Sequence, residues 1–152
     1  MLHTTFRKAR EAGACSSEYN KMARFLGGVD KYGEDTPIPL DKILDVCGLD
    51  AALWCLQCIL EPAEKEIGLL IGDFSEHTLP LLENLEKKYP DDARPRQAIE
   101  TSRKFAGGEL DAAQVAAWNA DWAARDAAWD AEDAERQWQE KKFREMLNNS
   151  GN

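Results

Sequence analysis

From Asp111 onward the chain has no glycine or proline until Gly151. A stretch of that length, rich in the best helix-forming residue and free of breakers, has little choice but to form a long helix. Its pattern is specific as well. Ala113, Ala120, Ala127 and Ala134 recur every seven residues, and so do Ala117, Ala124, Ala131 and then Trp138. Together they predict a seam with a 3.5-residue repeat, and small side chains on a seam let a second helix approach closely. Asp111 and Gln114 have capping-box spacing at the start. A helix from Asp111 to Leu147 would span roughly 55 Å. Trp118, Trp122 and Trp129 flank the seam and can clamp a neighbour. The near repeat WNADWAARDAAWDAEDAERQW is far shorter than a solenoid unit, so it reads as local duplication.

The preceding residues predict shorter helices. Leu2 to Ala12 reads as one amphipathic helix ended by Gly13, and Ser16 or Ser17 can cap a second that stops at Gly27-Gly28. Lys31 to Pro39 is a loop, because Gly33, Pro37 and Pro39 oppose continuous helix. Leu40, Ile43, Leu44 and Cys47 then recur at helical spacing up to Gly48, and Asp50 can cap the next helix. A helix after Pro62 should run to about Lys88, broken near Gly72 or Pro80, with Leu79, Leu82 and Leu85 on its apolar side. Pro95 opens a further helix. No run shows the sustained alternation of a strand. The expected fold is an all-α, single-domain multi-helix bundle ending in one long Ala/Trp/Asp-rich helix. The expected divisions are a helical core over 1–108, the long helix over 109–147, and a disordered tail over 148–152.

The 152 residues suit one core. The net charge of −9 argues against nucleic acid as a direct ligand, since phosphate binding needs a basic face. Charge is uneven along the chain. Met1 to Lys31 holds six Lys/Arg against three Asp/Glu, whereas Glu109 to Leu147 holds ten Asp/Glu against five Lys/Arg. No apolar run is long enough to span a bilayer, the N-terminus lacks the pattern of a signal peptide, and the four cysteines read as free thiols. A cytoplasmic location is the expectation.

Three groups of residues invite a chemical reading. Cys55-x-x-Cys58 lies in an apolar segment, with Cys47, Cys15 and His77 as conceivable further zinc ligands. A second ligand pair is missing, and the motif does not follow a strand, so buried structural thiols are the expectation. His77 has Asp73 four residues earlier, a spacing that suits a carboxylate–imidazole pair on one helix, but no evident nucleophile accompanies it. Arg94 and Arg96 follow Asp91-Asp92, which suits an arginine–carboxylate clamp at a helix corner. None of these makes a catalytic set. No enzyme activity, metal or cofactor is expected.

Several segments carry a family resemblance: TTFRKAREAGAC, GGVDKYGEDTPIPLDKILDVCGLDAALWCL, EHTLPLLENLEKKYPDDARPRQAIE and the tail ending RQWQEKKFREML. Across nearly the whole chain they resemble the immunity-protein-five-like group, small helical proteins of bacteria and tailed phages. YGEDTPIPL and KKYPDDARPRQAIE are the most specific parts. The resemblance implies a binder that neutralises a toxin. Phage-borne relatives add a second possibility, an inhibitor of a host defence system such as CRISPR or restriction.

The expected function is a non-enzymatic, protein-binding inhibitor that occludes its partner's surface with an acidic helix. Asp121, Asp126, Asp130, Glu132, Asp133 and Glu135 would meet a basic face, such as that of a nuclease, with Trp129 and Trp138 as anchors. The alternative is an assembly module that forms a homodimer through the alanine seam. Neither reading involves a membrane.

Overall fold

A computed structural model of the chain describes residues 1–93, 96–97, 100 and 132–150. Within helices, the side chains of 64, 75, 78, 79, 81, 82, 85 and 132–134 lie outside that description. The all-α class holds, with one short ladder as the exception among the described residues. The chain forms two compact units, Met1–Glu64 with Glu140–Asn152, and Lys65–Gln139. No helix among the described residues is long and apolar enough to cross a membrane.

The first unit begins with β1 (His3–Thr4), which pairs antiparallel with β2 (Ile38–Pro39), His3 opposite Pro39 and Thr4 opposite Ile38. The expected helix from Leu2 therefore starts later, as α1 (Phe6–Glu11). The cause is local. Thr5 is the N-cap, its side chain accepting from the Lys8 amide at 3.1 Å, and a cap residue has extended backbone. Thr4 is buried, and its hydroxyl donates to the Cys58 carbonyl at 2.7 Å. Leu40 N donates to Leu2 O at 2.9 Å, which extends the tie beyond the ladder.

α2 (Ser16–Phe25) starts at Ser16, so Cys15 is the cap residue and neither serine caps by its hydroxyl. One helical turn, α3 (Val29–Tyr32), ended by Gly33, runs into the start of the expected loop. α4 (Leu40–Cys47) follows the predicted spacing and buries Leu40, Ile43 and Leu44. Gly48, at φ 91° and ψ 176°, ends α4 and also caps α5 (Leu49–Trp54), which leaves Asp50 in the first turn. A 3-10 turn, Cys55–Cys58, continues directly from α5.

α6 (Glu64–Lys88) is one helix through both Gly72 and Pro80, not broken at either. Ile67, Leu70, Ile71 and Phe74 make its buried stripe at helical spacing. The last described helix, α7 (Glu132–Asn149), runs into the stretch expected to be a disordered tail, and Ser150 Oγ donates to Met146 O at 2.8 Å just beyond it. Glu135, Gln139, Phe143 and Leu147 lie four residues apart on α7, and all are buried. That stripe is polar up to Gln139, in the second unit, and apolar from Phe143, in the first. Arg144 ties the second half of α7 to α4 by donating to Asp45 Oδ1 at 2.7 Å.

Candidate functional site

Within the second unit, α6 and the first part of α7 build a polar cluster around His77. Glu135 is only 5% exposed, and both its carboxylate oxygens are engaged. Oε2 lies 2.7 Å from His77 Nδ1, and Oε1 accepts from Gln139 Nε2 at 2.9 Å. Gln139 is fully buried. A carboxylate that has to be buried is tolerated when each oxygen has a donor, and this one has two.

The His77 side chain remains 41% exposed. Its ring stacks on the Trp138 indole with centroids 3.7 Å apart and planes 10° apart, and Trp138 packs in turn on Phe74 at 5.9 Å. A deprotonated carboxylate can only accept, so the proton between the two groups belongs on Nδ1. In the neutral ring this leaves Nε2 as the acceptor. A ring fixed in orientation by a carboxylate and in plane by an indole can accept a hydrogen bond, take up a proton or pair with a partner's group. Among the described residues, no group of three or more His, Cys, Asp or Glu side chains could hold a metal ion.

The carboxylate on Nδ1 therefore comes from Glu135 on another helix, not from Asp73 one turn back. Arg96 likewise finds a different partner, donating from Nε to Glu86 Oε1 at 2.8 Å. Arg94 lies outside the described residues. Of the residues expected to bind a partner, Glu135 and Trp138 come together around His77. Glu135 presents its carboxylate to the interior, which differs from the outward face expected of it. Asp121, Asp126, Trp129 and Asp130 lie outside the described residues, as do Ala113, Ala117, Ala120, Ala124, Ala127 and Ala131 of the seam. Glu132, Asp133 and Ala134 lie in α7, with side chains outside the description.

Gln139 was not anticipated from the sequence. The signal was the four-residue step from Glu135 through Gln139 and Phe143 to Leu147, which puts both polar residues in line with two large apolar ones.

Residues 63–136 match the family model for Imm-5 like putative immunity protein. This is the group that the sequence resembles, although the match covers a narrower span than the resemblance. His77 and Glu135 both fall inside the Imm-5 like segment, and Trp138 and Gln139 follow just after it. No curated protein and no solved structure matches the chain.

Proposed function

We propose that the chain is a protein-binding inhibitor that neutralises a partner protein by covering its surface. The observation that carries this reading is the match of residues 63–136 to the Imm-5 like family, whose name denotes immunity. The excess of acid between Glu109 and Leu147 adds the character of the partner, a protein with a basic face such as a nuclease. Asp121, Asp126, Asp130, Glu132 and Asp133 supply the attraction, and Trp129 is an apolar anchor. Glu135 acts indirectly, by holding His77 against Trp138 as a rigid, half-exposed contact point. The partner is a toxin or a host defence effector encountered in the cytoplasm.

The test mixes the protein with a candidate toxin or effector and compares it with a variant carrying Asp126→Lys, Asp130→Lys and Asp133→Lys. Binding and inhibition should weaken strongly, with the loss greatest at low salt. Unchanged inhibition would sink the acidic-face mechanism. The seven-residue alanine repeat supports a second reading, a homodimer joined along the seam. Ala120→Leu and Ala127→Leu should then dissociate it, and a monomer at high concentration by light scattering would exclude it.

A further inference from the structure

The binding role leaves Cys55 and Cys58 without a task, yet their placement is suited to one. Both thiols are free, and they are only 7% and 6% exposed. They are the first and last residues of a 3-10 turn. In such a turn, residues three apart are eclipsed, and three rises set their Cα atoms about 6 Å apart. That falls within the roughly 4.4–6.8 Å that a disulfide spans. Cys58 Sγ donates to the Cys55 carbonyl at 3.3 Å, and the Thr4 hydroxyl stands 3.4 Å from the same sulfur.

We propose that Cys55 and Cys58 form a peroxide-reactive dithiol that closes to an intramolecular disulfide. The roles of the two sulfurs follow from their surroundings. The neighbouring Cys55 thiol lowers the Cys58 thiol against the opposing effect of burial, with help from the Thr4 hydroxyl and the charge of Lys8. The proximity of Cys58 raises the Cys55 thiol, and burial adds to the rise. When Cys58 ionises, it gives up its donation to the Cys55 carbonyl, with the Thr4 hydroxyl 3.4 Å from its sulfur. Cys58 is therefore the attacking sulfur and Cys55 the resolving one.

In the first step, Cys58 Sγ attacks one oxygen of hydrogen peroxide. The O–O bond breaks, the departing hydroxide takes a proton to become water, and Cys58 is left as a sulfenic acid. In the second step, Cys55 Sγ attacks the Cys58 sulfur, the S–O bond breaks, and the leaving hydroxide takes the Cys55 proton as a second water. Two thiols and one peroxide give one disulfide and two waters, and the two electrons lost by sulfur reduce the peroxide. The burial of the pair selects the oxidant. A molecule little larger than water is the oxidant that burial hinders least, whereas glutathione disulfide has to align its own sulfur atoms with the attacking thiolate.

The test uses the full chain with Cys15→Ser and Cys47→Ser, substitutions at an exposed and a half-buried position. The native protein is treated with hydrogen peroxide, denatured, alkylated and weighed intact. The expected result is loss of the mass of two hydrogens and of both alkylatable thiols, faster than with an equal concentration of glutathione disulfide. Adding Cys55→Ser should make Cys58 accumulate a sulfenic acid that dimedone traps. Peptide mapping of the unsubstituted chain should find the 55–58 disulfide after the same treatment, a result independent of whether any variant folds. Two thiols that stay alkylatable after peroxide would overturn the proposal. So would a Cys58 sulfinic acid beside an intact Cys55 thiol, or a glutathione disulfide reaction that outruns peroxide.

Discussion

Gly33 has a backbone of φ 100° and ψ 130°, a region that side chains with a Cβ rarely enter. It is also crowded, since a Cβ there would stand 2.5 Å from Thr36 Oγ1. That hydroxyl cannot easily retreat, because it donates to Tyr32 O at 2.7 Å. Gly33→Ala should therefore destabilise the protein by about 1–3 kcal/mol, read from chemical denaturation. A change of a few tenths or less would mean that the turn relaxes. Glu135 poses the opposite problem, a charge placed where solvent is nearly absent. Glu135→Ala removes a nearly buried carboxylate that accepts from the Gln139 amide and faces His77, and should cost about 1–3 kcal/mol. Glu135→Gln keeps an acceptor there and should cost less. Equal losses in the two variants would show that the contact with Gln139 carries little weight.

Between elements, the link from His77 to Glu135 is the one to measure. A double-mutant cycle with His77→Ala and Glu135→Ala should give a coupling of about 0.5–3 kcal/mol, because contacting residues in one network do not behave additively. Additive losses would mean that the pair is incidental. Pro80 lies inside α6 and is exposed there, where it removes a backbone donor and crowds the preceding turn. Pro80→Ala should stabilise the protein by up to about 3 kcal/mol, visible as a higher denaturation midpoint. The proline was legible as a threat to the helix, but not as one that α6 absorbs. The buried stripe of Ile67, Leu70, Ile71 and Phe74 anchors the helix ahead of it, and that burial outweighs one missing bond. α4 was legible throughout, because Leu40, Ile43, Leu44 and Gly48 all favour the same answer. β1 was not, since two residues have no period to detect and their pairing depends on Ile38, far along the chain. Glu135 was misjudged for a related reason. Its charge suggests solvent, and only the line it shares with Phe143 and Leu147 reveals the buried face.

Over the molecule as a whole, acid should act through a few carboxylates. Burial tends to raise the Glu61 carboxyl, but the His3 amide, at 2.8 Å, and the His3 imidazole, at 2.6 Å, outweigh it and bring it below 4.5. Arg10 lowers Glu34 in the same way, and Arg7 lowers Asp35, chiefly through hydrogen bonds. A carboxyl lowered in the folded state binds protons more readily when unfolded. Its contribution is therefore complete above the unfolded value and lost as pH falls through the folded one. Stability should be level near neutrality and decline below about pH 4.5, and Glu61→Gln should make that decline shallower. An unchanged slope, followed by denaturation at a series of pH values, would show that Glu61 is not among the groups responsible.

The first unit is assembled from both ends of the described chain, Met1–Glu64 and Glu140–Asn152, with Lys65–Gln139 set between them. On a ribosome, the residues that bury Phe6 and Leu40 emerge early, and Phe143 and Leu147 of the same unit emerge last. Throughout the synthesis of the intervening residues, the early segment lacks the side chains that complete its interior. The nascent protein therefore carries an open apolar surface for most of its translation, and a ribosome that stalls before Phe143 leaves that surface for chaperones to shield.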